Sequence, residues 1–548
     1  MSTPRDSGLR ATGEWALLAG VILSFFLLRI PTWPLLWNGD EAVSMTVAHA
    51  ILDGGVPYRD GVDHRGPLTY YLYAAVLRVA GRFDVTALHA AFAVLVAGIT
   101  WAVHGCTRRA FGARAAAFAS LAFAIMAYTV GRPADAFAFH TEWPLIAFTT
   151  AGAWLCITST DRDDTRLLWL SGACYAIAAS SKQVALLDAA AGGTFVVLGL
   201  AARRRPRAAL RAGAAMVGGF ALLLGALLGY FAIRHALGDF VTWFWTYNTK
   251  VYMATIGWHD RVQSLGKTFR SISLGFPVVT ALVAAVLPWN LAAIVRSLRG
   301  EPARLPPETL FLGWLVSALV GASVSARDFG HYYVQTLPPL AILSGAAVDR
   351  LLAWLAPLLS RWKPSLEAER VGTWASVVLA VVLVVTSVGP LERRWSSRAG
   401  HRWDPDQRAV GETILSATRP DDPIFVWGMA SKIYIYARRE CATRFSFTNA
   451  LTGYVPGVGD AAGSNGRILP GAWDALIADL ARRPPAIIVD TSPGDISHYG
   501  SYPIAQFPRL AELVSSRYEP ATELLPAELR NTFHLFRRRD TPPGSAAP

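Results

Sequence analysis

Apolar stretches of about twenty residues with almost no charge recur along this chain, separated by short charged connections. At 1.5 Å of rise per residue, such a stretch spans the roughly 30 Å hydrocarbon core of a bilayer. The pattern predicts crossings at 14–31, 85–105, 113–130, 141–158, 168–181, 184–200, 210–234, 271–295, 308–324, 333–354 and 371–390, eleven in all. Residues 68–80 are also apolar, with Tyr70, Tyr71 and Tyr73, but number about thirteen, too few to cross. They are read as an interfacial or re-entrant helix with those tyrosines at headgroup level, and counting them as a span would invert everything downstream. The first half of 32–84 is too polar for lipid.

Beyond residue 390 the apolar runs shorten to strand length, at 424–427, 486–490 and 533–536, and 473–481 has helical spacing. Alternating strand and helix patterns predict a small α/β domain. The expected organisation is a membrane domain over 1–390, an α/β domain over 391–540, and a disordered tail at 541–548.

Composition supports the membrane reading. The 548 residues are 53% hydrophobic and 16% charged, where a soluble domain has about a quarter charged. The net charge of +12 would suit nucleic acid, but the basic residues fall in connections. Arg108, Arg109 and Arg114 form one cluster, and Arg203, Arg204, Arg205, Arg207 and Arg211 a second. Arg296, Arg299 and Arg304 form a third, and Arg361, Lys363 and Arg370 a fourth. The segment 159–167 is mixed, with Arg162 and Arg166 against Asp161, Asp163 and Asp164. All lie on one side if the N-terminus is cytoplasmic, as the positive-inside rule requires, so membrane lipids and not nucleic acid are the expected partners. The segments 38–63, 235–270 and 325–332, and everything after 390, then face outward. Arg5 and Arg10 precede the first span without a small-residue cleavage signal, which reads as an uncleaved signal anchor. The cysteines at 106, 156, 174 and 441 suggest neither a zinc cluster nor a disulfide framework. Nucleotide-binding, P-loop and nucleophile-elbow signatures are missing, as is an internal repeat that would suit a transporter.

The candidate chemistry clusters at the outward ends of the spans. Asp40 and Glu41 follow the first span, and adjacent residues on a helix diverge by about 100°, so they are not expected to share one role. One reading makes a proton acceptor of one of them. The other makes Asp40 the cap of a helix over 41–52, after the Asn38-Gly39 turn. Asp63, His64 and Arg65 precede Gly66-Pro67, where Arg65 can reach a phosphate at the membrane surface and Asp63 with His64 offer metal-ligand types, though adjacent residues rarely suffice; loop packing is the bland alternative. His140 and Glu142 lie at the outward end of a span and suit a sugar hydroxyl or a metal, unless Glu142 is paired with Arg132. Lys182 interrupts about 33 nearly uncharged residues, as a phosphate partner or a snorkelling side chain. Arg327, His331 and Tyr332, with Tyr333, form a further outward cluster suited to phosphate and sugar or to the aromatic belt. In 235–270, Trp243, Trp245, Tyr247 and Tyr252 alternate with polar groups, as a carbohydrate surface or an interfacial helix would.

Taken together, Asp40-Glu41 after the first span, His64-Arg65-Gly66-Pro67-Leu68 before a short helix, Lys182-Gln183 after a mid-chain span, and the run from Arg327 to Pro339 carry a resemblance. The chain resembles the bacterial GT-C glycosyltransferases of the protein mannosyltransferase and aminoarabinose transferase type (glycosyltransferase family 39-like) over residues 14–390. That resemblance implies a polytopic α-helical GT-C membrane fold with interfacial helices in the first outer loop, placed in the bacterial inner membrane. It implies an inverting transferase that moves a monosaccharide from a polyprenyl-phosphate donor to a hydroxyl of a lipid, polysaccharide or protein acceptor on the outer face. By it Asp40 is the general base, and Lys182, Arg65 and Arg327 steady the leaving phosphate, with Glu41, Asp63, His64, His140, Glu142, His331 and Tyr332 as further substrate contacts. No cofactor or metal is carried over, and a monomer is expected. His-Arg-Gly-Pro stands where Lys-Pro-Pro is commoner, which weakens the transfer of a phosphate role to Arg65. The competing readings are a transporter or flippase for a lipid-linked sugar, which needs charge near the bilayer midplane, and a noncatalytic envelope-assembly component.

Overall fold

The computed structural model describes residues 4–162, 164–203, 205–254, 256–299, 305–362, 368–400, 405–456 and 464–539. Asp163, Arg204, Arg304, Lys363 and the tail 541–548 lie outside the described residues. The chain forms two compact units, each gathered from separated stretches. One comprises Met1–Trp33, His89–Tyr230 and Ile256–Gly400, the other Pro34–Leu88, Phe231–Thr255 and His401–Pro548.

Every predicted apolar segment is helical over most of its length. Among the described residues, seven helices are long and apolar enough to cross a membrane: Gly13–Thr32, Val85–Phe111, Ala185–Ala202, Pro206–Ile233, Pro277–Ser297, Gly330–Leu355 and Gly372–Ser397. Ala113–Thr129, Arg166–Ala179 and Glu308–Ser323 are apolar but shorter. The molecule is a largely helical polytopic membrane protein with one small sheet. The predicted segment 271–295 is divided at Phe276–Pro277, where proline opens the helix Pro277–Leu298. The last predicted span continues to Gly400. Its side chains Trp374, Val378, Val385 and Val388 are exposed, as suits a helix whose outer face meets lipid.

The first unit is held by close helix contacts. A Cβ at Gly172 would fall 2.0 Å from the Met216 carbonyl oxygen, and one at Gly219 1.9 Å from that of Trp169. Two glycines thus let the helices Arg166–Ala179 and Pro206–Ile233 meet backbone to backbone, the small-residue packing that substitutes for a hydrophobic drive in lipid. At the C-terminal end of Ala113–Thr129 two arginines take up carbonyls left without helical partners. Arg29 donates to Ala127 O (2.9 Å) and Ala136 O (3.0 Å). Arg394 donates to Thr129 O (2.9 Å) and Gly131 O (2.6 Å). Those bonds fix the loop that leads to His140 and Glu142.

The second unit carries a sheet of four strands: β1 (Ile424–Trp427), β2 (Ile487–Asp490), β3 (Tyr518–Pro520) and β4 (His534–Arg538). Their order is β1-β2-β4-β3. β1 and β2 are parallel, with Ile424 opposite Ile487, and both are buried along their whole length, which accounts for their uninterrupted apolar runs. β4 is antiparallel to both β2 and β3. Three of the strands match the sequence reading, and the helix expected at 473–481 is Ala472–Arg482. β3 was not expected, because Tyr518-Glu519-Pro520 has no apolar run, and its proline is tolerated on an edge strand.

Helices Gly39–Leu52 and Pro67–Ala80 belong to this unit and pack on each other. Val62 N donates to Arg444 O (2.9 Å), and Glu440 meets both Arg82 (3.0 Å) and His49 (3.2 Å). The short helix exists as predicted, but its tyrosines are not a headgroup belt. Tyr70 and Tyr73 are wholly buried inside the unit and only Tyr71 reaches the surface. The aromatic segment is a π-helix, Val241–Tyr252, with Trp243, Tyr247 and Tyr252 buried and Trp245 exposed. Twelve residues of π-helix are uncommon, and such turns concentrate at functional sites.

Candidate functional site

The chemistry-bearing residues fall into two clusters, one in each unit. In the second unit the start of Gly39–Leu52 is set by Asn38, whose side chain accepts from Glu41 N (3.0 Å). Asn38, and not Asp40, is therefore the cap. Glu41, at N3, reaches back to accept from Trp37 N (3.0 Å) and is 1% exposed. Asn38 thus satisfies one orphan donor of this helix end, and Glu41 is consumed in building the turn that leads into it. Asp40 points the other way and remains 38% exposed, as the 100° divergence of neighbours requires.

Asp40 is bound by Arg65, whose Nη2 lies 2.5 Å from Oδ1. The same guanidinium donates through Nη1 to Asp63 Oδ2 at 2.6 Å. Asp63 is fully buried and also accepts from His64 N (2.7 Å). Burial alone would raise the Asp63 carboxyl, but the charge of Arg65 and the bond and charge of His64 hold it well below the ordinary carboxylate range. Arg65 is held firmly cationic between its two carboxylates in spite of burial. Neighbouring bonds set this arrangement: Tyr58 OH donates to Arg65 O (2.7 Å), and Asn248 of the π-helix donates to His64 O (2.7 Å). The His64 ring stacks on Tyr252 at 5.1 Å.

In the first unit, Glu142 opens the helix Glu142–Arg162 and takes Lys182 Nζ at 2.6 Å. The expected alternative of a bridge from Arg132 to Glu142 is replaced by a contact from Arg132 to Asp135 (3.7 Å). Lys182 sits at the short joint before Ala185–Ala202, and its ammonium lies 3.5 Å from the centre of the Tyr332 ring. It is thus paired rather than snorkelling. Thr141 Oγ1 donates to the second Glu142 oxygen (3.1 Å).

His331 joins this group. Its ring stacks face to face on His140 at 4.1 Å and meets Tyr332 edge-on at 4.7 Å. Asp135 Oδ1 accepts from His331 N at 3.0 Å, with Nδ1 at 3.3 Å. Asp135 also accepts from Arg132 N (2.7 Å). Burial would raise its carboxyl, but the bond and charge of His331 bring it down to about 2. A Cβ at Gly330 would lie 2.3 Å from Asp135 Oδ2, so only glycine admits this approach. Arg327 is half-buried between Ala326 and Asp328, both in the left-handed region (φ 47° and 53°). Asp328 holds Ser264 (2.5 Å) and Lys267 (3.1 Å).

The structure therefore gathers Asp40, Asp63, His64 and Arg65 in one cluster, and His140, Glu142, Lys182, His331 and Tyr332 in the other. Glu41 lies beside the first with its carboxylate turned to the backbone, and Arg327 flanks the second. The sequence reading missed Asp135. Its signal was present, as a carboxylate just after Arg132-Pro133 in a segment otherwise rich in alanine and aromatics, but nothing local showed that its partner lies 196 residues away.

The chain's fold is similar to that of solved membrane glycosyltransferases. Residues 64–238 match the family described as dolichyl-phosphate-mannose-protein mannosyltransferase. Among solved structures, ArnT from Cupriavidus metallidurans bound to undecaprenyl phosphate superposes with a TM-score of 0.60 at 17% identity, covering 98% of this chain and 100% of that one. The same protein in its apo state gives 0.54 at 17% identity, covering 96% and 98%. The Archaeoglobus fulgidus oligosaccharyltransferase in its apo form gives 0.53 at 13% identity, covering 92% and 73%. No curated protein sequence matches the chain.

Proposed function

We propose that this protein is an inverting glycosyltransferase that moves a monosaccharide from a polyprenyl-phosphate donor to the hydroxyl of a lipid, glycan or protein acceptor on the outer face of a bacterial inner membrane. The observation that carries the reading is Asp40: a partly exposed carboxylate in the first turn of a helix, paired with Arg65, in a chain with the fold of ArnT. The ArnT structure holds undecaprenyl phosphate, a lipid phosphate of the kind such a donor leaves behind.

Asp40 accepts the proton of the acceptor hydroxyl as its oxygen attacks the anomeric carbon, and the bond to the phosphate oxygen breaks in the same displacement. An ion-paired carboxylate is a weak base. The leaving phosphate departs as an anion without protonation, so no general acid is needed, and Arg65 orients the Asp40 carboxylate. The developing phosphate charge needs fixed cations, for which Arg65, Lys182 and Arg327 are assigned. Lys182 donates to Glu142, and an ammonium has three donors, so one cation can hold a carboxylate and a phosphate oxygen together. Glu41 supports the turn, and Asp63, His64, His140, Glu142, His331 and Tyr332 contact or orient substrate.

The proposed organisation is a membrane domain over 1–390 and an outer-face domain over 391–540. We assign eleven crossings: the seven long helices, the three shorter apolar ones, and Glu142–Arg162. With a cytoplasmic N-terminus the basic connections lie inside and the C-terminal domain outside. A flippase reading gains nothing from the buried carboxylate of Asp188, because it sits in the first turn of Ala185–Ala202, near a helix end and not the midplane. The test is transfer from a purified polyprenyl-phosphate sugar by Asp40→Asn, with donor binding measured on the same sample. Comparing surface glycans and glycolipids of cells with and without the protein then identifies sugar and acceptor.

A further inference from the structure

The first unit has a second site with distinct chemistry. A cavity of about 800 Å³ is lined chiefly by residues of three helices, Pro4–Arg29, Val85–Phe111 and Glu142–Arg162. Its wall includes Trp15, Trp101, Trp154, Arg108, Arg109 and Arg162. The described lining residues include no carboxylate. Glu14, close by, accepts from Arg108 Nε (2.7 Å) and meets His104 Nε2 (3.0 Å), and Asp161 and Asp164 lie beside Arg162 in sequence, so the lining itself is basic but acids stand around it.

Its position follows from one helix. Glu142 is the first residue of Glu142–Arg162, whereas the cavity is lined by its second half, from Ala151 through Trp154, Leu155 and Thr158 to Arg162. From Glu142 to Arg162 at 1.5 Å per residue is about 30 Å, the thickness of the hydrocarbon core. The cavity thus opens at the membrane face opposite Glu142, at the level of the basic connections.

We infer that this cavity binds an anionic glycerophospholipid of the leaflet opposite the candidate active site. A free phosphate would leave most of 800 Å³ empty and would not need three tryptophans. A neutral apolar ligand would not need three arginines. A phosphodiester headgroup attached to acyl chains uses both, and basic pockets between membrane helices suit such lipids. A zwitterionic headgroup would bring its own cation against the arginines, so the preference is for net negative charge. The indoles are suited to the depth they occupy, since tryptophan favours the interface between acyl chains and headgroups. Trp101 and Trp154 brace each other edge to face (5.1 Å), and Arg108 lies over Trp15 (5.6 Å). The wall is close-fitted, because a Cβ at Gly105 would meet the Trp154 ring at 2.5 Å.

The experiment uses the full chain purified in mild detergent, titrated with phosphatidylglycerol or phosphatidylcholine, with retained lipid counted by native mass spectrometry. Phosphatidylglycerol should be retained selectively, and the double variant Arg109→Gln/Arg162→Gln should bind it about tenfold or more weakly, since each basic residue near an anionic surface contributes about 1 kcal/mol. A second arm needs no variant: phosphatidylglycerol with a photoreactive headgroup should crosslink to peptides covering 101–113 and 151–162. Equal retention of phosphatidylcholine, unchanged retention by the double variant, crosslinks confined to other segments, or displacement of the lipid by polyprenyl phosphate would each overturn the assignment.

Discussion

Arg65 binds Asp40 and Asp63 with one guanidinium, at 2.5 and 2.6 Å, and the two carboxylates differ in their surroundings. Asp63 is sealed in the unit, whereas Asp40 is more than one-third exposed. One arginine thus secures a buried carboxylate in the loop and holds a partly exposed one beside it.

Removing that arginine should harm the fold through Asp63. Arg65→Gln leaves a buried carboxylate without its cation, and breaking a buried pair in this way costs about 3 kcal/mol or more. A fall in thermal stability is expected, and Asp63→Asn in the same chain should recover part of it. If Arg65→Gln melts like wild type, the pair does not support the loop.

Lys182 should act on the leaving phosphate. Lys182→Met is expected to weaken polyprenyl-phosphate binding about tenfold or more, because it deletes a charge-assisted contact. Glu142→Gln, which keeps the ammonium, should weaken it less. Competition binding with polyprenyl phosphate measures both. Equal losses would show that the pair matters only as a unit.

Asp135 should make stability depend on acid. Its folded pKa of about 2 lies below the ordinary value of 3.8. The stabilisation, about 2 kcal/mol, is therefore complete above pH 4 and is lost as the pH falls towards 2. Melting curves between pH 4 and 2 should show a drop in wild type that Asp135→Asn, already destabilised at pH 4, does not share. Parallel pH dependence in the two proteins would contradict this.

Gly330→Ala should displace Asp135 from His331, since the added Cβ would lie 2.3 Å from the carboxylate. A loss of about 1–3 kcal/mol is expected from such a clash, read as a lowered melting temperature. Wild-type stability in this variant would mean that the loop adjusts freely.

Much of the helical architecture was legible because lipid imposes one strict rule: a long uncharged run satisfies its backbone internally as a helix. The strands β1 and β2 were legible for a related reason, being buried on both faces and hence apolar throughout. β3 was not, because an edge strand of three residues with a proline is defined by its partner β4 and not by its own pattern. Site residues were found as charges in apolar surroundings, but their pairings were not. Arg132 and Glu142 are ten residues apart, yet Glu142 pairs with Lys182, forty residues on. The cap was misassigned by two positions: Asn38, Asp40 and Glu41 all favour a helix start, and only the turn geometry selects Asn38. Tyr70 and Tyr73 look interfacial in sequence but are fully buried, Tyr70 against Tyr58 of the preceding loop.

The central claim is that Asp40 is the base of a glycosyl transfer from a lipid-phosphate donor. Its most direct test measures single-turnover transfer by the full-length protein in lipid nanodiscs supplied with a polyprenyl-phosphate monosaccharide, comparing wild type with Asp40→Asn. Loss of transfer by about a hundredfold or more is expected, the scale of a general base, with donor affinity and melting temperature close to wild type. Transfer by Asp40→Asn at the wild-type rate would contradict it.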